Sequence, residues 1–144
     1  MTVPAPDGAG RPLEFDFPAG LPAFENERRF QLVENPEFSP LVLLQSTRTR
    51  SLRFVCAPAS LLDPAYQPEI GEEDAALLGR CCAATDTRPL LCLAILTFPE
   101  GGPPTANLMA PVLLDPETRR GVQCIQSSPR YSHCHPLRRE PSCS

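Results

Sequence analysis

The chain has 144 residues, of which 19 are proline, 7 cysteine and 13 arginine, and it has no lysine. The length suits a single domain, and proline, which ends helices and is excluded from central strand positions, is abundant enough to exclude a helical bundle, a coiled coil and a TIM barrel. The formal net charge of −4 offers no basic field for a polyanion, so we expect no direct nucleic-acid binding and favour a basic protein partner.

The N-terminal residues predict a flexible segment and a cytoplasmic protein. Residues 1–11 are rich in proline, glycine and alanine, a composition typical of frayed termini. They lack the positive charge and the apolar stretch of a secretory signal. The longest apolar run, residues 90–96, is far shorter than the ~20 residues that span a bilayer. We therefore expect a cytoplasmic monomer without membrane contact, whose cysteines are reduced and pack as small hydrophobic side chains.

Alternating apolar and polar residues, separated by turns rich in proline and glycine, predict seven short strands. Leu13, Phe15 and Phe17 share one face of the first strand, and the continuous apolar run at 90–98 indicates a strand buried on both faces. Pro111 lies inside the sixth strand, where it predicts a sheet edge or a bulge. The predicted strands cover residues 13–17, 29–33, 41–46, 52–56, 90–98, 106–114 and 122–126.

One short helix is predicted over residues 72–78, between the fourth and fifth strands. Gly71 can serve as its N-cap, and Gly79 stands where a C′ glycine belongs. Acidic residues at 72–74 occupy the first turn, where the helix dipole favours negative charge. So short a helix depends on packing against the rest of the domain.

Together these elements predict a mainly β fold. We expect a small antiparallel β-barrel-like single domain with one short helix, over residues 12–130. Residues 131–144 are polar and punctuated by proline, and we expect them to form a loosely ordered C-terminal tail.

The sequence contains no recognisable catalytic motif. Its only histidines, His133 and His135, lie in the predicted tail, and no Gly-x-Ser-x-Gly, Walker, His-Glu-x-x-His or dinucleotide-binding pattern occurs. Glu72 and Glu73 are adjacent in a helix and point apart, so they form no carboxylate dyad. We therefore expect neither enzymatic activity nor a cofactor.

The cysteines and histidines leave a second class of function open, a metal- or thiol-responsive binding module. Its candidate residues are Cys124, Cys134, His133 and His135. The chain has no Cys-x-x-Cys pair, the spacing that carries most of the signal for structural zinc, so we expect no metal. Cys124 falls in an apolar strand, where a buried cysteine is ordinary.

Two further features are candidates for binding. Glu69, Glu72, Glu73 and Asp74 form an acidic cluster, which stabilises a helix N-terminus and can also attract a basic partner. Asn107 lies in an otherwise apolar strand, where a buried amide needs hydrogen bonds and is more often structural than ligand-binding.

Several short segments occur in a recognisable order. The most specific reads Thr-Ala-Asn-Leu-Met-Ala-Pro over residues 105–111. The others lie at 17–25, 43–46, 66–69, 93–97, 112–115, 120–125 and 135–137. Taken together and with their spacing, these segments resemble the flagellar assembly factor family FliW.

The resemblance implies a small, non-catalytic β-barrel protein of the cytosol with two alternative protein partners. One is flagellin, held before export, and the other is CsrA, an RNA-binding dimer that represses flagellin translation. When flagellin is exported, the freed protein binds CsrA and the repression is lifted. On this basis the candidate partner-binding residues are Glu69, Glu72, Glu73, Asp74, Gln45 and Asn107.

Overall fold

A computed structural model describes residues 13–21, 24–80, 89–127 and 131–137 of the chain. No helix in these ranges has the length and apolar character needed to cross a membrane. The described helices are α1 (Ala59–Leu62) and α2 (Glu72–Leu77), with a 3₁₀ turn at Pro36–Phe38. The strands are β1 (Leu13–Asp16), β2 (Arg29–Glu34), β3 (Val42–Ser46), β4 (Arg53–Pro58), β5 (Leu91–Thr97), β6 (Thr105–Asp115), β7 (Arg120–Gln123) and β8 (His135–Pro136).

Seven of these strands close into a barrel. The sheet order β5-β4-β3-β2-β1-β7-β6 is completed by pairing of β5 with β6, and β8 adds to the edge of β6. The pairings are antiparallel except between β1 and β7, where Asp16 lies opposite Arg120 on a parallel strand. The predicted mainly β, barrel-like fold is confirmed, with this one parallel contact added.

The structure differs from the predicted boundaries at two places. α1 lies between β4 and α2, where no helix was predicted. Residues 131–137, assigned by their polarity to a loosely ordered tail, instead contain β8 and bury Tyr131 against the sheet. α1 and the C-terminal segment both pack against β5 and β6, which are distant in the chain, so local composition does not reveal either element. Residues 1–11 and 138–144 lie outside the described ranges.

Aromatic side chains fill the barrel interior. Phe15, Phe17 and Phe30 are at most 1% exposed, and the rings of Phe17 and Phe30 meet edge to face with centroids 5.3 Å apart. Gly121 makes room for them, because a Cβ at this position would lie 2.6 Å from Cζ of Phe17 and 2.7 Å from Cδ2 of Leu114. A larger residue at 121 would force the packed interior apart.

The outer face of the barrel is covered along β4 to β7. In β5, Leu93 points into the interior, whereas Ala94 and Leu96 pack beneath α1 and the C-terminal segment. In β6, Leu113 packs on the outer side against Leu78, which follows α2. The predicted burial on both faces is confirmed for the middle of the fifth strand, whereas Leu91 and Phe98 at its two ends are exposed. The apolar composition of the middle of the strand follows from these two layers.

α2 ends in a Schellman motif that leads directly into a buried ion pair. Gly79 has φ of 82°, and its N–H donates to the Ala76 carbonyl at 3.0 Å, while the Arg80 N–H donates to the Ala75 carbonyl at 2.8 Å. The Arg80 Nε then donates to Asp115 Oδ2 at 3.1 Å, with the two side chains 4% and 0% exposed. The end of the helix is thereby tied to the end of β6.

The Asp115 carboxylate is hydrogen-bonded at both oxygens. Oδ1 accepts the backbone N–H groups of Glu117 at 2.9 Å and Thr118 at 3.3 Å. Burial alone raises the pKa of Asp115, but these hydrogen bonds and the Arg80 guanidinium outweigh it and hold the pKa below its usual range. The guanidinium also donates to the Pro89 carbonyl at 3.3 Å, so the pair joins α2, the chain before β5 and the β6–β7 turn.

Asp115→Asn is expected to destabilise the fold by about 3–5 kcal/mol at neutral pH, because it leaves the Arg80 charge buried without its partner. The folded pKa is lowered, so the ionised carboxylate stabilises the protein above the ordinary aspartate pKa, and this stabilisation is lost as pH falls through the lowered folded pKa. Urea unfolding at several pH values measures the difference in the free energy of unfolding between the natural protein and the variant. This difference should become smaller below about pH 4. The exposed control Glu34→Gln should change stability little, and a pH-independent difference for Asp115→Asn would contradict the prediction.

Candidate functional site

The acidic segment, residues 69–74, lies on the surface where α2 begins. Glu69, Glu72 and Glu73 are exposed and Asp74 is half-buried. The chain has no basic residue between 54 and 79, so nothing in this stretch offsets the negative charge. The structure therefore brings four of the six predicted site residues together on one surface.

A buried amide anchors the start of this segment. Gln126 is 3% exposed, and its Oε1 accepts the Glu69 N–H at 2.7 Å while its Nε2 donates to the Glu69 carbonyl at 3.0 Å. Gln126 is not among the site residues predicted from the sequence. The alternation of Val122, Cys124 and Gln126 on one strand face was the available signal, since it places Gln126 on the side that α2 covers.

The Cys124 thiol lies beneath the same segment. Its Sγ donates to the Glu69 carbonyl at 3.1 Å and to Asp74 Oδ2 at 3.0 Å. Burial, reinforced by the hydrogen bond and negative charge of Asp74, raises the pKa of Cys124 to about 12. Asp74 is therefore partly structural, whereas Glu72 and Glu73 make no described side-chain contact and remain available to a partner.

Gln45 lies in a different part of the barrel, beside the turn between β3 and β4. Its Nε2 donates to the carbonyls of Arg50 at 2.8 Å and Leu52 at 3.2 Å. It shares no hydrogen bond with the acidic segment. The amide holds the turn in shape, and a partner-binding role for Gln45 stays a prediction.

Asn107 organises a bulge in β6. Its Oδ1 accepts the N–H groups of Met109 at 3.0 Å and Ala110 at 3.1 Å, where the register against β5 shifts between Leu93 and Ile95. Of the two alternatives predicted at Pro111, a sheet edge or a bulge, the structure has the bulge, since Pro111 is among the residues between Asn107 and Val112 that interrupt the register. Asn107 also lines a cavity of about 420 Å³ at one mouth of the barrel, and its role in binding stays a prediction.

A second concave surface, the apolar groove, opens where β2 ends and β3 begins. It encloses about 510 Å³. Glu34 is the one charged residue among its described lining. Most of the remaining lining is apolar, and it includes Leu32, Val42, Pro40, Pro58, Tyr66, Leu91 and Leu93.

Two tyrosines support one wall of this groove. The rings of Tyr66 and Tyr131 meet edge to face with centroids 4.5 Å apart. The Tyr66 hydroxyl donates to the Leu108 carbonyl at 2.5 Å, and Tyr131 Oη accepts the Gln67 N–H at 3.2 Å. Burial raises the pKa of Tyr66, so its hydroxyl remains a proton donor at physiological pH. The pair holds the segment between α1 and α2 against β6.

The residues of the metal- or thiol-responsive alternative do not form a site in the described ranges. No group of three or more His, Cys, Asp or Glu side chains there could hold a metal ion. Cys124 is hydrogen-bonded under α2, whereas His133 and Cys134 line the barrel mouth and His135 Nε2 contacts the Leu62 carbonyl at 3.3 Å. Cys81, Cys82 and Cys143 lie outside the described residues.

Fold and surfaces together define a small closed β-barrel protein with an anchored acidic surface. The model of the FliW protein family matches residues 10–137, so the chain belongs to the FliW family. The predicted resemblance is therefore confirmed.

Named relatives and a solved structure agree with this assignment. The flagellar assembly factor FliW of Syntrophomonas wolfei is 37% identical over 132 residues, covering 87% of this chain and 82% of that protein. The protein of the same name from Symbiobacterium thermophilum is 38% identical over 125 residues, covering 85% and 88%. A crystal structure of the flagellar assembly factor FliW matches with a TM-score of 0.74 at 29% identity, covering 87% of this chain and 85% of the other.

Iodoacetamide is expected to alkylate the exposed Cys134 and to leave Cys124 unmodified in the folded protein. Because the raised pKa and burial leave almost no accessible thiolate, Cys124 should react at least about a hundred times more slowly at pH near 8. Peptide mass mapping distinguishes the two sites, and the urea-unfolded protein serves as the control in which both react. Equal labelling of both cysteines in the native protein would contradict the prediction and support a thiol-responsive function.

Proposed function

We propose that this protein is a non-catalytic flagellar assembly factor of the cytoplasm that binds two protein partners in turn, flagellin and the translational regulator CsrA. Binding of CsrA relieves the repression of flagellin translation, and binding of flagellin holds the subunit before export. Membership of the FliW family supports the role in assembly. The anchored acidic segment is the structural observation that supports a basic regulatory partner.

The acidic segment suits CsrA for an electrostatic reason. A protein that binds RNA carries positive charge, which attracts an exposed cluster of carboxylates and raises the rate of association, without the carboxylates having to occupy the RNA-binding groove. Gln126 fixes the backbone at Glu69, and Asp74 is held by the Cys124 thiol. Glu72 and Glu73 are therefore displayed from an ordered segment, which lowers the entropic cost of binding.

The double variant Glu72→Gln/Glu73→Gln is expected to slow association with CsrA about tenfold at low salt, because the steering charge is lost. The difference should shrink at high salt, where exposed charges are screened. Stopped-flow fluorescence measures the rate at each salt concentration. The variant leaves Asp74 and its thiol contact intact, so the fold is retained.

The matched control is Glu14→Gln/Glu100→Gln, which removes the same charge from exposed acids on β1 and the β5–β6 turn. It should associate with CsrA nearly as fast as the natural protein. An unchanged rate for the Glu72/Glu73 variant would limit these two acids to a helix-capping role.

The apolar groove suits flagellin. An amphipathic helix can lay its apolar face into a hydrophobic groove, and this surface offers exposed apolar area together with concave shape. Leu91 is 37% exposed within the groove, and Phe38, beside the lining residues Ser39 and Pro40, is 59% exposed. The two proposed partner surfaces are lined by different residues, so each can be altered separately.

Leu91→Asp is expected to weaken binding of flagellin at least about tenfold, because it places a charge in the apolar contact. Isothermal titration with purified flagellin measures the affinity. Phe98→Asp, at an exposed apolar residue outside the groove lining, is the matched control and should leave the affinity unchanged. CsrA binding should be retained by both variants, and equal loss of flagellin binding in both would place the site elsewhere.

A further inference from the structure

A group of exposed arginines surrounds the turn between β3 and β4. The Thr47 N–H donates to the Arg29 carbonyl of β2 at 3.1 Å, and Arg53 of β4 lies opposite Gln45. Because side chains alternate along a strand, the side chains of Arg29 and Arg53 face away from the buried side that holds Phe30. The turn itself adds two more arginines. The arginine patch consists of Arg29, Arg48, Arg50 and Arg53, all of them exposed.

Two described carboxylates, Glu27 and Asp16, neutralise this patch only in part. No ion pair joins any of its four guanidiniums to a described carboxylate. Glu27, at the base of the turn, is hydrogen-bonded by the hydroxyls of Ser46 at 2.6 Å and Thr49 at 2.8 Å, and these hydrogen bonds, with a smaller contribution from the Arg48 charge, lower the pKa of its carboxyl. Asp16 lies opposite Arg29, so β1 bounds the patch with negative charge on one side.

Hydrogen bonds hold the turn that carries the patch. Gln45 Nε2 donates to the Arg50 carbonyl at 2.8 Å, and Ser46 Oγ accepts the N–H groups of Arg48 at 3.1 Å and Thr49 at 2.9 Å. Arg48 Nη1 also donates to the Asn26 carbonyl at 3.2 Å. The backbone positions of the arginines are therefore set before a partner arrives, which lowers the cost of binding.

We propose that the arginine patch binds an acidic segment of a partner protein. A guanidinium matches a carboxylate with two parallel hydrogen bonds, and the exposed guanidiniums of the patch outnumber the two carboxylates beside them. Beside the arginines lie the amides of Gln31 and Gln45, with the exposed Glu14 of β1 opposite Gln31.

The composition of this face favours a protein over RNA. The outward residues of β2, β3 and β4 include no aromatic ring, so the surface lacks the stacking platform on which single-stranded nucleic acids are bound. The net charge of −4 also opposes long-range attraction of a polyanion. A short acidic segment of a protein, in contrast, can bind through the local positive charge of the arginine patch alone.

The test compares two double variants that remove the same charge. Arg50→Gln/Arg53→Gln alters the patch, whereas Arg119→Gln/Arg120→Gln removes two exposed arginines at the β6–β7 turn. Fluorescence anisotropy follows binding of a fluorescein-labelled peptide of alternating glutamate and alanine. The patch variant is expected to bind the peptide roughly tenfold more weakly, as loss of two exposed charge contacts implies, and the turn variant is expected to bind like the natural protein.

Three outcomes would overturn the proposal. Equal weakening in both variants would show a general charge effect without a site. Tighter binding of an oligouridylate of the same charge would identify a nucleic-acid surface instead. Sedimentation showing self-association that only the patch variant loses would make a second copy of this chain the occupant.

Discussion

The buried ion pair between Arg80 and Asp115 is the interaction on which the other elements depend. A carboxylate with no exposed surface is costly unless it is paired and hydrogen-bonded, and here it accepts two backbone N–H groups of the β6–β7 turn besides the guanidinium. That turn leads into β7, whose contact with β1 belongs to the closed ring of strands. Arg80 in turn marks the end of α2. One buried charge thus couples barrel closure to the helix that carries the acidic segment.

Uncharged side chains hold the backbone at both charged surfaces, while most of the charged side chains stay exposed. Beneath the acidic segment the anchors are Gln126 and Cys124, and at the arginine patch they are Gln45 and Ser46. This division has a physical reason, because a carboxylate or guanidinium spent on an internal hydrogen bond is no longer available to a partner. A modest net charge is in this way separated into an acidic surface and a basic one, each on ordered backbone.

Much of the barrel could be predicted from local patterns, and much of the site could not. The cap glycines Gly71 and Gly79 and the strand alternation depend on neighbouring residues, so α2 and the barrel strands were predictable to within a few positions. Pro111 indicated a sheet edge or a bulge from the sequence. The role of Asn107, whose amide shapes the bulge, could be recognised only from the register between β5 and β6. α1, β8 and the anchor Gln126 depend on contacts between residues distant in sequence, which no local pattern reveals.

The amino-acid sequence alone defines a small, mainly β, acidic domain of the FliW family, because periodicity, turn residues and ordered motifs are properties of neighbouring residues. It also placed Glu69, Glu72, Glu73 and Asp74 next to one another. Packing in three dimensions sets two further features. Asp74 is engaged by Cys124 whereas Glu72 and Glu73 project outward, and Gln45 lies among arginines of three chain segments. Burial and pairing across the closed sheet are set by packing, and packing joins residues whose separation along the chain carries no local signal.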